Sequence, residues 1–288
     1  MQQQGVQLLG DDDKSETITT KPVTVKAGTR DTEGNNWGVL VWWLDQDDRP
    51  HEIAIPKRLF HAQGTELAQR LADGGLPIVP GKERKLLTYL AMFNVQQRLV
   101  AASCTGWLRN AFVLPNETIN APAGESIVYQ PTGLSNHARA MRRNGTLEQW
   151  QAGVLDASPM VRFLICASLS APVRYPVGVE AGGFHIYDET SRGKTTALQA
   201  AASCWGSGVD PQRAGGAETY ISRWNATANA LEAKAELHND LPMVVDEIGE
   251  GIPGSSVAPS TASSPERDVI AVNRLGASAT PKAGVSRS

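Results

Sequence analysis

Residues 182–198, Gly-Gly-Phe-His-Ile-Tyr-Asp-Glu-Thr-Ser-Arg-Gly-Lys-Thr-Thr-Ala-Leu, constrain the fold more than any other stretch of the chain. Residues 184–187 form an apolar, β-prone run, a loop follows that ends in Gly193, and 197–205 is Ala-rich and reads as a helix. Strand, loop and helix in that order specify an α/β unit in which the chain turns from a sheet edge into a helix N-terminus. Gly193 lets the backbone come close to a ligand, so that successive N–H groups and the helix N-terminus face negative charge. The pattern makes Thr190, Ser191, Arg192 and Gly193 the phosphate cradle, Lys194 the bridge between the β- and γ-phosphates of ATP, and Thr195 a hydroxyl ligand of Mg²⁺. Thr196 adds a spare hydroxyl and is counted with the nucleotide-contacting residues. A Gly-Lys-Thr triplet alone is common in chains of this size, so the weight rests on its setting.

That setting includes a second strand. Residues 241–247, Leu-Pro-Met-Val-Val-Asp-Glu, are an apolar run ending in two acids. A parallel strand of this kind delivers one carboxylate to the metal, here Asp246, and a second to the attacking water, here Glu247. The bland alternative is a buried strand that happens to end in surface acids. One position departs from the G-x-x-x-x-G-K-[ST] pattern: the first glycine is replaced by Asp188. Aspartate tolerates positive φ, so the turn survives, but its carboxylate beside phosphate oxygens predicts weakened nucleotide binding.

Composition narrows the rest. With 288 residues the chain holds one large domain or two modest ones, and a net charge of −3 announces neither a nucleic-acid nor a membrane partner. Cys104, Cys166 and Cys204 are odd in number and far apart, which predicts buried thiols in a reducing compartment. His51, His61, His137, His185 and His238 are scattered, so no zinc set is visible. No apolar run is long enough to span a bilayer and the start lacks a leader pattern, which predicts a cytoplasmic protein with no membrane partner.

Taken in order, residues 1–16 are polar and predicted to be a disordered tail. Residues 17–135 read as a β-rich α+β module. It has alternation at 18–25, an apolar strand at 37–44, a polar turn and a further strand at 51–55, so that the last two make a hairpin. Helices are expected at 66–71 and 82–93, and strands at 98–102, 111–114 and 126–130. Residues 136–180 read as a helical connector. Its 136–143 segment carries Arg139, Arg142 and Arg143 at helical spacing, either a phosphate-binding patch or, more blandly, a solvated face. Thr146 opens a capping box with Gln149, and Ser158-Pro159 starts a helix over 160–169 that closes before Pro172. Trp150 and Cys166 are expected in the core. Residues 181–250 form the nucleotide core, within which 218–238 has a helix-like order and Arg213 and Arg223 are candidates to face a γ-phosphate. Residues 251–288 hold no aromatic residue and one apolar patch at 269–272, and read as a low-complexity or disordered tail, or as a truncated or frame-shifted gene end.

Four segments together resemble a known family: Phe184-His185-Ile186-Tyr187; Gly193-Lys194-Thr195-Thr196-Ala197-Leu198; the run from Trp224 to Glu232; and Leu237-His238-Asn239-Asp240 leading into Val245-Asp246-Glu247. The chain is similar over most of residues 35–250 to the family catalogued as domain of unknown function 927. That resemblance implies a P-loop NTPase core, incomplete on its C-terminal side, and a replicative helicase-like ATPase of prophages, plasmids and integrated elements. It further implies single-stranded or forked DNA as partner, self-association, and a primase as a further partner. On this reading Lys194 and Glu247 are catalytic, and Thr195 with Asp246 hold Mg²⁺. The rival expectations are a truncated remnant that binds nucleotide or DNA without hydrolysis, and a P-loop small-molecule kinase.

Overall fold

A computed structural model describes residues 5–9, 15–133, 137–187, 193–215, 218–223, 235, 237–246 and 267–272. It is a mixed α/β protein in two compact units, Met1–Met141 and Arg142–Ser288.

In the first unit β1 (Gln7–Leu9) pairs antiparallel with β2 (Ser15–Thr17). The main sheet follows with β3 (Val23–Arg30), β4 (Gly38–Leu44) and β5 (Pro50–Pro56), consecutive antiparallel neighbours. The β4–β5 turn is fixed by Asp45, whose carboxylate accepts from the backbone N–H groups of Asp47 (2.9 Å) and Arg49 (2.8 Å). Helices α1 (Lys57–Ala62), α2 (Gly64–Asp73) and α3 (Glu83–Met92) cover one sheet face. Their Leu59, Leu67, Leu71, Leu86 and Leu90 pack with Val23, Val25, Val39, Val41, Trp43 and Ile55. A register shift between Val25 and Ala27 inserts one residue into β3. Because strand side chains alternate, that single insertion sends Ala27 to the opposite face, where it packs with Leu40, Ala54 and Leu99.

Strand β6 (Arg98–Ala102) adds parallel to β3. After a small meander of β7 (Gly106–Leu108), β8 (Ala111–Val113) and β9 (Thr118–Ile119), β10 (Ile127–Tyr129) adds parallel to β6. The sheet order is β10-β6-β3-β4-β5. The helix expected over 136–143 is not there. His137–Ala140 is a single 3-10 turn and 141–144 is irregular, so Arg139, Arg142 and Arg143 do not share a helical face. Ala140 and Met141 are buried, but they are adjacent in the chain and give only a short apolar contact, and the left-handed Gly145, with φ of 74°, follows.

The second unit opens with α4 (Leu147–Leu155), capped as the sequence predicts. The Thr146 hydroxyl accepts from Gln149 N–H, and the Gln149 side chain accepts from Thr146 N–H. Ser158 caps α5 (Pro159–Val177), which runs through Pro172 instead of stopping before it. Proline there removes one backbone donor, but Leu164, Ile165, Ser168 and Ala171 are buried, and that burial holds the helix together across the gap. Cys104 and Cys166 are exposed rather than buried. Only Cys204 is largely covered, and its burial pushes the thiol up to about 11. Trp150 is half-buried and donates its indole N–H to Ser203 Oγ at 3.0 Å.

The chain continues through β11 (Gly182–Tyr187), α6 (Lys194–Ala202), β12 (Ser222–Arg223), β13 (Pro242–Asp246) and β14 (Arg267–Val272). These strands form one sheet in the order β11-β14-β13-β12. Of the segment expected to be helical, 218–238, Ser222–Arg223 is instead a strand paired with β13, and residues 224–234 lie outside the described residues. Within the segment expected to be low-complexity, Arg267–Val272 is a sheet strand. Among the described residues no helix is long and apolar enough to cross a membrane.

Candidate nucleotide site

Strand β14 runs antiparallel to both β11 and β13, so β11 and β13 are parallel to each other with one strand between them. Val269 pairs with His185 on one side and with Val245 on the other. Asp246 therefore stands level with Ile186, at the edge where β11 hands the chain to the loop before α6. Two inter-strand steps separate them, about 10 Å of backbone. The residue expected to hold the metal thus ends its strand at the same sheet edge as the C-terminal end of β11.

Gly193 is the N-cap of α6 with φ of 81° and ψ of 13°, a left-handed conformation that an L-residue adopts only at a cost. Among the described residues nothing lies within 4 Å of a Cβ built on it. As the N-cap, Gly193 brings no side chain to the first turn of α6, whose leading N–H groups have no partner further back in the helix. Lys194, the first helical residue, is only 4% exposed, a burial that lysines rarely accept. Thr195 is half-buried, Thr196 is exposed, and Asp246 is buried at the end of its strand. Gly193, Lys194 and Thr195 open α6, which packs on β13, and Asp246 ends β13, while Thr196 is exposed. Thr190, Ser191, Arg192, Glu247 and the departing residue Asp188 lie outside the described residues. Arg213 is strongly exposed beside Asp210, with Nε 4.0 Å from its carboxylate, and Arg223 is half-buried in β12.

Helix α6 is fixed from behind. Ala197, Leu198, Ala201 and Ala202 are fully buried, and α6 packs on α5, β13 and β14. Ser168 of α5 donates to Ala201 O at 2.8 Å and accepts from Trp205 Nε1–H at 3.0 Å, a latch between the two helices. The opposite end of β13 is pinned by residues to which sequence reasoning gives no role. Tyr220, fully buried, donates to Pro242 O at 2.7 Å and meets the His238 ring edge-on at 5.1 Å. Asp240, also buried, turns the chain into β13 with φ of 55°. A His and an Asp directly before an apolar strand are the available signal, since such residues enter a core only when hydrogen-bonded.

The donor set suits a nucleoside triphosphate with a divalent cation: an ammonium and helix N–H groups for phosphate, a hydroxyl and a carboxylate for a hard metal. No curated protein is significantly similar to the chain. One solved structure, described as the active helicase Cch of SCCmec type IV, is similar at 18% identity with a TM-score of 0.49, over 79% of this chain and 43% of that one. The chain therefore spans less than half the length of that structure. The family model described as "Domain of unknown function (DUF927)" matches residues 2–257, and the chain belongs to that family.

Proposed function

We propose that the second unit binds Mg-ATP at the N-terminus of α6 and is the ATPase module of a mobile-element DNA helicase or primase-helicase. The supporting observation is the shared sheet edge: the left-handed Gly193 and buried Lys194 start α6 beyond β11, and Asp246 ends the parallel strand β13. In this reading Lys194 neutralises charge on the phosphates, and Thr195 with Asp246 hold Mg²⁺. Held there, a divalent cation would supply charge neutralisation for the phosphates. Glu247 orients the attacking water, and the backbone of 190–193 cradles the phosphates. DNA, a ring of copies and a primase belong to the same reading.

Phosphate release with and without single-stranded DNA tests it. The protein is expected to hydrolyse ATP in a Mg²⁺-dependent way that DNA stimulates, and Lys194→Ala is expected to remove at least 90% of that rate, roughly what loss of about 1.4 kcal/mol or more of transition-state stabilisation gives. A wild-type protein that neither binds nor hydrolyses Mg-ATP would sink the proposal. A second reading, nucleotide binding without turnover, draws on β14. Being antiparallel, it brings its N-terminal residue Arg267, not a C-terminal loop, to the edge between β11 and β13. A γ-phosphate-sensing residue of a parallel neighbour would enter at that edge. Mg-ATP binding that protects the protein from heat, with no phosphate released, favours this second reading.

A further inference from the structure

The first unit carries one corner whose chemistry its own fold leaves unused. Trp37 directly precedes β4 and keeps 42% of its surface exposed, whereas Trp43 in the same strand is 5% exposed and donates its indole N–H to Gly74 O. Two guanidiniums lie over the Trp37 ring, Arg30 at 5.8 Å and Arg98 at 5.6 Å from its centroid. They come from different strands. Arg30 ends β3, Arg98 begins β6, and the register sets Arg98 opposite Gly28, on the same side of β3 as Arg30. Gly28 makes room for this: a Cβ there would stand 3.1 Å from Arg98 Nη1. Arg98 is held in place, its Nη1 donating to the Val95 and Gln97 carbonyls. Lys57 adjoins, its backbone N–H donating to Trp37 O at 2.8 Å.

Several cations of this unit, Arg58, Arg70 and Arg84 included, have no carboxylate partner among the described residues, and of such cations Arg30 and Arg98 are the two set over an aromatic ring. Lys21, Lys26, Lys82, Lys85 and Arg109 are each paired with a carboxylate. Among the described residues Arg30, Arg98 and Lys57 are not. The nearest acid in sequence, Asp31, spends its carboxylate on the adjoining turn, accepting from Glu33 N–H, Asn35 N–H and the Asn36 side chain. The corner therefore offers flat π surfaces together with unneutralised positive charge. An acidic peptide would use only the charge and an apolar partner only the ring. A single-stranded nucleic acid uses both, because its bases stack on indole and guanidinium planes while its phosphates meet the cationic heads.

We propose that the Trp37–Arg30–Arg98 corner is a contact for single-stranded nucleic acid. The proposal rests on the nucleic-acid partner of the preceding reading and names the surface that grips it. Fluorescence anisotropy of a labelled oligothymidylate, with no nucleotide added, tests it on the whole chain. Trp37→Ala is expected to weaken binding about tenfold, and Trp37→Phe, which keeps a ring, to lie within about threefold of wild type. Replacing Arg30 and Arg98 together by alanine is expected to weaken binding and to lower the slope of log affinity against log salt by about 1.4, the share of two phosphate contacts on a single strand. Circular dichroism and melting temperature report whether each variant is folded, and the exposed Arg30→Glu serves if the Trp37 variant is not. An oligonucleotide bound equally by wild type and all variants overturns this surface while leaving the nucleic-acid reading standing. Polyglutamate displacing the oligonucleotide at equal charge concentration overturns it in favour of an acidic protein. A folded wild type that binds no oligonucleotide overturns both.

Discussion

Gly193 ties backbone conformation to chemistry. Its φ of 81° starts α6 in a conformation where a side chain is strained, while a Cβ there would touch none of the described residues. Alanine at this position therefore loses conformational energy and no packing, about 1–2 kcal/mol. The expected result is a melting temperature lowered by roughly 2–8 °C, together with weaker Mg-ATP binding, and a smaller loss for Gly193→Asn, since asparagine enters the left-handed region more readily. Thermal denaturation with and without Mg-ATP checks the ordering, and equal losses for alanine and asparagine would show that the left-handed turn is not what the position requires. Signals confined to a few neighbouring residues are legible in the sequence alone. Thr146 and Gln149 announce their capping box because both partners lie within one helical turn. The Gly193-Lys194-Thr195 helix start is local in the same way. The pinning of Pro242 by Tyr220 is not legible, since those two residues are 22 positions apart and meet only after β12 and β13 pair.

At the scale of elements, burial decides what propensity leaves open. Pro172 reads as a stop, yet α5 continues because its buried face rests on α6, and the arginines at 139, 142 and 143 read as helical where only the adjacent Ala140 and Met141 are buried. The apolar packing of α5 on α6 also holds one hydroxyl that hydrogen-bonds in both directions. Ser168 donates to Ala201 O, whose acceptor capacity sits in the first helix after the loop, and accepts from Trp205. Ser168→Ala removes both bonds and leaves buried polar atoms behind, an expected cost of about 1–3 kcal/mol. Trp205→Phe removes only one of them. Urea unfolding of the two single variants and the double variant is expected to show non-additive losses, as for groups sharing one network. Purely additive losses would mean that the hydroxyl does not couple the helices. The Trp37 corner belongs to this scale too. Its three residues come from β3, the approach to β4, and β6, spread over positions 30 to 98, so no window of sequence shows them side by side.

For the whole molecule, each unit has its own core, built on different principles. The first is a mixed sheet, half parallel and half antiparallel in its pairings, under three helices, in which a one-residue insertion in β3 divides the apolar residues between two faces. The second sets two parallel strands apart and fills the space between them from far along the chain. That arrangement reaches past the boundary of the family. The family match stops at residue 257, but the strand that joins β11 to β13 is Arg267–Val272. A protein ending at 257 would keep every residue assigned to the triphosphate and still face two rows of backbone amides and carbonyls across an open seam, with no donor or acceptor to close it. Such a shortened protein is expected to precipitate or to pair through that seam with another copy, measurable by light scattering beside the full chain, so that a segment without aromatic residues is the one that keeps β11 and β13 in register.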